Sequence, residues 1–280
     1  MNPSNPLEPS RSLPSRNSLG VKKVKDIERY SRQLILPEVG GEGQKRLKSA
    51  RVLLVGAGGL GSPAALYLAA AGVGTLVLVD NDDVDLTNLH RQILHFTPDV
   101  GTPKVHSARD KILALNPRLR VRVKKTRLTL ANAPGLFVGS DLVLDGSDNF
   151  ETRYAVNTAC VSEGIPLVWG AVLRWEGQVM TVFPGQTACY ECLFPEPPDP
   201  ALAQTCSNAG IMGSVVGTIG SLMATEGLKV LLGLKKTGTG RLWTMDLLNM
   251  KFRERMVPVR SDCRVCGGKP AKKIRVSAGA

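Results

Sequence analysis

The sequence predicts an α/β fold in which a mostly parallel sheet is flanked by helices and continued by an antiparallel extension. Three observations predict it. Through residue 172, apolar runs of strand length alternate with stretches of helical length and pattern, as units of strand, helix and strand require. A glycine-rich turn joins the first such run to the first long helix. After residue 172 the rhythm changes, and residues 178–183 alternate polar and apolar side chains as an antiparallel strand does.

The elements follow in order. Residues 26–48 read as amphipathic helix, interrupted by the Leu36-Pro37 step and by Gly40, Gly41 and Gly43. Residues 51–55 are a continuous apolar run bounded by Gly56, the pattern of a buried parallel strand. Ser62 is the expected N-cap of the next helix, with Pro63 in its first turn and Gly72 closing it. A second strand over 75–80 completes the first unit. Further on, 104–115 reads as helix, 121–123 and 141–145 as strands, 150–163 as helix and 166–172 as strand. Beyond the antiparallel strand, 193–212 reads as a long loop and 214–232 as a long apolar helix, with strands over 241–245 and 252–257. No internal repeat of 20 to 50 residues interrupts this order, so residues 26–268 form one domain.

Composition narrows the class. At 280 residues and 43% hydrophobic, the chain buries a sizeable core. The first 25 residues, rich in Pro, Ser and Asn, are expected to be a disordered tail. A net charge of +12 invites a nucleic-acid reading, but the basicity is concentrated at the ends. Residues 1–25 hold five cations against Glu8, and residues 264–280 hold five cations and no acid, so 269–280 is a basic tail. No nucleic-acid partner is expected. No uninterrupted apolar run reaches the length of a membrane span, and the N-terminus lacks the order of a signal peptide, so a cytoplasmic location with no membrane partner is expected.

The turn Gly56-Ala57-Gly58-Gly59-Leu60-Gly61 has the G-x-G-x-x-G spacing of a Rossmann-like nucleotide site. Missing side chains let backbone N–H groups approach phosphate, and the following helix N-terminus adds partial positive charge. Asp80, at the end of the second strand, stands where a carboxylate takes ribose hydroxyls. These features support an adenine nucleotide without choosing between NAD and ATP. Adenylyl transfer also needs cations for a leaving pyrophosphate, and Arg91 and Lys104 follow on neighbouring loops. Asp148 follows another strand at the same sheet edge, where a carboxylate can hold Mg²⁺.

Cys189-x-x-Cys192 and Cys263-x-x-Cys266 offer the four thiolates of a closed, structural Zn²⁺ site if the fold brings the two pairs together. Cys160, inside a helix, reads as core.

The segments RYSRQ (29–33), GAGGLG (56–61), VDNDDVDLTNLHRQ (79–92), VGTPKV (100–105) and SDN (147–149) resemble the ThiF/MoeB family, bacterial relatives of ubiquitin-activating enzymes, in the family order. The resemblance runs from about residue 30 to 267. It implies an adenylyltransferase that binds ATP and its Mg²⁺ through Gly59, Asp80, Asn88, Arg91, Lys104, Asp148 and Asn149. The flanking Gly56, Gly58, Gly61, Thr87, Leu89 and His90 are placed with them. It implies also that Arg32 reaches the phosphates from a neighbouring subunit of a homodimer, and it supports the Zn²⁺ site. Cys206 matches the family's reactive cysteine. The implied substrate is the C-terminal Gly-Gly carboxylate of a small ubiquitin-like sulfur-carrier protein of the MoaD/ThiS kind, with the MoeB-like branch the nearer in sequence. Sulfur is expected from a separate donor protein, because no rhodanese-like domain follows the last cysteine pair. The rival readings are an NAD-dependent oxidoreductase, a nucleic-acid-binding zinc module and a non-catalytic carrier-binding scaffold.

Overall fold

The computed structural model describes residues 26–198, 209–234 and 240–267. The two expected tails and Cys206 lie outside the described residues, as does part of the loop expected over 193–212.

Three helices, α1 (Asp26–Arg29), α2 (Ser31–Leu34) and α3 (Gly40–Ser49), replace the interrupted helix expected over 26–48. The parallel half then runs β1 (Arg51–Val55), α4 (Gly61–Ala71), β2 (Thr75–Asp80), α5 (Lys104–Leu115), β3 (Arg120–Lys125), α6 (Ala133–Phe137), β4 (Leu142–Asp145), α7 (Phe150–Glu163) and β5 (Leu167–Leu173). The remainder is β6 (Glu176–Val182), α8 (Tyr190–Leu193), α9 (Gly213–Leu232), β7 (Arg241–Asp246) and β8 (Lys251–Met256). The eight strands of the described residues form one sheet in the order β3-β2-β1-β4-β5-β6-β7-β8. The first five are parallel, and β6, β7 and β8 add antiparallel.

Period-two side-chain alternation divides the interior between the two sheet faces. From β1, Val52 and Leu54 join the core under α4, α5 and α9, while Leu53 and Val55 join the core that holds Phe137, Val156, Trp169 and the four paired-motif cysteines. Cys160 is buried in that second core, as the sequence implies.

Two local expectations are corrected. Ser62 is not an N-cap: α4 begins at Gly61, and the Ser62 hydroxyl donates to the Gly58 carbonyl at 2.6 Å, inside the first turn. The long apolar helix α9 does reach the length and mean hydropathy of a bilayer-crossing helix, which a search for uninterrupted apolar runs misses because small and polar residues are interspersed. It packs on α4, β5 and β6, with Val215, Val216, Ile219 and Met223 buried, so its apolarity serves the core.

Candidate active site

β1 and β4 are neighbours, yet their following connections run to opposite sides of the sheet, and this switch point is where an open α/β sheet leaves a crevice. Gly56 follows β1 with φ +85°, and a Cβ there would lie 2.9 Å from the Gly146 carbonyl oxygen beyond β4. Gly61 opens α4 so close to the turn that a Cβ would lie 1.9 Å from the Gly56 oxygen. Both glycines shape the turn; Gly56, Gly58 and Gly59 line the crevice, whereas Gly61, expected with them, lies off its wall.

That crevice is a cavity of about 490 Å³. Its walls bring together Gly56, Gly58, Gly59, Asp80, Arg91, Lys104, Asp148 and Asn149 from five separate loops and strand ends. Asp80 accepts from the Ala57 N–H at 2.7 Å and the Asp82 N–H at 2.8 Å, so its carboxylate is tied to the glycine turn. Burial raises its pKa, and Lys104 and the two N–H donors partly offset that rise.

Lys104 is 5% exposed at the start of α5, and its ammonium meets Asp82 at 2.8 Å. The Arg91 guanidinium is held by the Thr87 carbonyl at 3.0 Å and lies 2.8 Å from His90 Nε2. Thr87 and His90 do not line the cavity but hold the arginine that does; Thr87 lies in a 3₁₀ turn, Leu86–Asn88, capped by Asp85. Asn88 and Leu89 also lie off the cavity wall; they carry the turn's backbone hydrogen bonds. Asn149 caps α7 by accepting from the Thr152 N–H at 2.9 Å, which fixes the turn carrying Asp148. Asp148 is exposed, and its carboxylate has no hydrogen-bond or ion-pair partner among the described residues, a disposition that suits a divalent cation shared with phosphate. Arg32 is exposed on α2 and is not part of this chain's cavity wall.

Several contributors were not singled out from the sequence. His95 is 3% exposed beneath the glycine turn, its Nε2 2.8 Å from the Ala57 carbonyl and its Nδ1 2.8 Å from the Ser107 hydroxyl. A carbonyl only accepts, so Nε2 carries the proton and Ser107 donates to Nδ1. Burial lowers the His95 pKa, keeping the ring neutral. Arg153, buried in α7, donates to the Ser147 carbonyl at 2.7 Å and braces the Asp148 turn from below. Trp169, Tyr190 and Phe194 pack against one another, Trp169 and Phe194 each meeting the Tyr190 ring, and all three line the cavity. No spacing rule marks these residues, because their roles arise from packing between distant elements.

The four cysteines of the two C-x-x-C pairs do converge. Their sulfurs all lie within 4.8 Å of one another, with Cys189 and Cys263 at 3.6 Å and Cys192 and Cys266 at 3.3 Å. A tetrahedral ion bonded to sulfur at about 2.3 Å has sulfurs roughly 3.8 Å apart, so the donor set fits Zn²⁺. The Arg260 N–H donates to the Cys192 sulfur at 3.5 Å, an outer contact of the kind that steadies thiolate ligands.

A match to the ThiF family spans residues 30–265, most of the chain. The chain belongs to the ThiF family. Among its ThiF-family relatives, the sulfur carrier protein adenylyltransferase of Thermus thermophilus is 48% identical over 253 residues, which cover 89% of this chain and 93% of that protein. The SAMP-activating enzyme E1 of Haloferax volcanii is 49% identical over 243 residues, 86% and 89% of the two chains. MoeZ of Mycobacterium tuberculosis, a probable adenylyltransferase/sulfurtransferase, is 48% identical over 241 residues, 85% of this chain, which spans 61% of that relative's length. A solved structure of Escherichia coli MccB with ATP superposes with a TM-score of 0.71 at 25% identity, covering 85% of this chain and 74% of that one. MccB with MccA-N7isoASN superposes with a TM-score of 0.76 at 23% identity, covering 85% and 74%, and shares the fold.

Proposed function

We propose that this chain is an adenylyltransferase that uses ATP to activate the C-terminal Gly-Gly carboxylate of a small ubiquitin-like sulfur-carrier protein for thiocarboxylate formation. The observation that carries the reading is the convergence of Arg91, Lys104 and Asp148 on one cavity bounded by the glycine turn. A dehydrogenase keeps its pyrophosphate intact and has no need of two cations and an open carboxylate there. Adenylyl transfer does, because charge accumulates on the pyrophosphate as it leaves.

In this reading the triphosphate lies along Gly58 and Gly59, with the ribose hydroxyls on Asp80. Arg91, preset by the Thr87 carbonyl, and Lys104, preset by Asp82, face the departing oxygens. Their orientation before substrate binds limits the reorganisation the reaction requires. Mg²⁺, held by Asp148 when bound, supplies further charge neutralisation at the phosphates. The carrier's carboxylate oxygen attacks the α-phosphorus, the bond to the pyrophosphate oxygen breaks, and an acyl-adenylate forms. Two terminal glycines suit a tail that must pass its backbone close to cavity walls. A sulfur donor then displaces AMP, with Cys206 as the candidate thiol in that step.

The same reading makes the exposed Arg32 a contributor to the partner subunit's cavity in a homodimer, which explains its place off this chain's own wall. The cysteine cluster holds Zn²⁺ in a structural role, and the setting is the cytoplasm, where free thiols persist. The test is ATP–pyrophosphate exchange with a Gly-Gly-terminated carrier. Exchange that depends on the carrier and on Mg²⁺ is expected; exchange indifferent to the carrier, or none with any of several carriers, overturns the reading.

A further inference from the structure

The peptide groups on both sides of Ala57, in the glycine turn, are tied down from within the protein. The Ala57 N–H donates to Asp80 at 2.7 Å, and the Ala57 carbonyl accepts from His95 Nε2 at 2.8 Å. Both ties lead on to the start of α5. Asp80 accepts from the Asp82 N–H at 2.8 Å, and the Asp82 carboxylate in turn meets the Lys104 ammonium at 2.8 Å. His95 accepts at Nδ1 from the Ser107 hydroxyl at 2.8 Å, and Ser107 stands one helical turn beyond Lys104 on α5. The glycine turn and the lysine are therefore joined by two struts, one through Asp80 and Asp82 and the other through the His95 ring.

The His95 strut fixes more than a distance. The described residues hold no cis peptide bond, so the Ala57 carbonyl and the Gly58 N–H are antiparallel. With that carbonyl directed at a ring buried beneath the turn, the Gly58 N–H points the opposite way, away from the ring. Gly58 lines the cavity, and its N–H has no hydrogen-bond partner among the described residues. The Gly58 carbonyl, by contrast, is engaged by the Ser62 N–H at 2.9 Å and the Ser62 hydroxyl at 2.6 Å. A free donor beside engaged carbonyls is the polarity an anion requires.

We propose that His95 is a positioning residue for the nucleotide: by holding the Ala57 carbonyl down and α5 beside it, the ring presents the Gly58 N–H to a phosphate oxygen and sets the spacing between that donor and the Lys104 ammonium. This rests on the ATP-dependent adenylation reading. The task requires the Nε2–H tautomer, since a neutral ring protonated at Nδ1 sets a lone pair against the Ala57 carbonyl. Without the ring's donor that buried carbonyl loses its partner, and the peptide turns to find another, carrying the Gly58 N–H out of line. The Asp80 strut remains, so the turn persists and the loss falls on phosphate binding. A side chain that donates to Ala57 and accepts from Ser107 restores the presentation, and an apolar one does not.

The experiment compares His95→Met, His95→Gln and Ser107→Ala with the wild-type full chain, each checked for folding by circular dichroism. ATP affinity is measured by calorimetry at a pH above the histidine range. His95→Met is expected to weaken ATP about tenfold, the scale of one lost hydrogen bond to a charged oxygen, while His95→Gln stays within about threefold of wild type. Nitrogen NMR of protein labelled at histidine, with the His95 signal assigned by its loss in His95→Gln, is expected to show the Nε2–H tautomer before and after ATP is added. ATP affinity unchanged in His95→Met overturns the proposal. A loss in His95→Gln equal to that in His95→Met also overturns it, because the ring then serves packing alone, and so does an Nδ1–H tautomer in the wild type. If His95→Met does not fold, Ser107→Ala decides: it frees the ring to take the other tautomer, and unchanged ATP affinity there overturns the proposal. A wild-type protein that binds no ATP defeats the adenylation reading itself, and this proposal with it.

Discussion

Lys104 enters the cavity already paired with Asp82, so its ammonium is solvated by a carboxylate, and in the adenylation reading phosphate takes over from it. Replacing it with Met keeps the stem and removes the charge. Lys104→Met is expected to lower kcat for pyrophosphate exchange by about 10² to 10³, the cost of one transition-state charge partner, with the melting temperature little changed. Asp148→Asn is expected to cost a similar factor and to shift the Mg²⁺ dependence to higher concentration, read by titrating the metal at fixed ATP. His95 gives a pH signature. Its folded pKa lies below the ordinary value of 6.5, so the unfolded chain binds more protons as pH falls. The stability it contributes is present above about pH 6.5 and is lost as pH drops toward its folded pKa. His95→Gln, which can donate to Ala57 and accept from Ser107, is expected to flatten the fall in melting temperature that the wild type shows as pH drops below about 6.5.

At the scale of elements, the strands and helices of the parallel half were legible because apolar runs and helical periodicity agree with local propensity. The helices over 104–115 and 150–163 coincide with α5 and α7, and each strand shifts by at most two residues. What failed was capping: Ser62 follows the helix start and bonds inside the turn, since the Gly56–Gly61 approach sets where α4 begins. The cavity's cations and its carboxylate were legible because loops at one sheet edge are ordered by chain topology. Its aromatic wall and the His95 support were not, for they depend on side chains meeting across elements far apart in sequence. Gly61→Ala tests the close approach directly. With a Cβ 1.9 Å from backbone oxygen, nothing flexible can yield, and a loss of more than about 2 kcal/mol in denaturant unfolding is expected.

For the whole molecule, the antiparallel extension does more than lengthen the sheet. It carries the chain past β8 so that Cys263 and Cys266 return to Cys189 and Cys192, whose partners lie 74 residues away in sequence. With Zn²⁺ held there as proposed, Cys263→Ser is expected to release it and lower the melting temperature by about 10 °C or more, checked by calorimetry alongside metal content. Short zinc modules gather their ligands within one local loop; here no local loop can do so. The sulfurs come together only when β6, β7 and β8 have assembled, and an ion held there registers the completeness of the fold. Heating should therefore liberate zinc to a coloured chelator in step with loss of the sheet's circular dichroism, as one event seen by two probes.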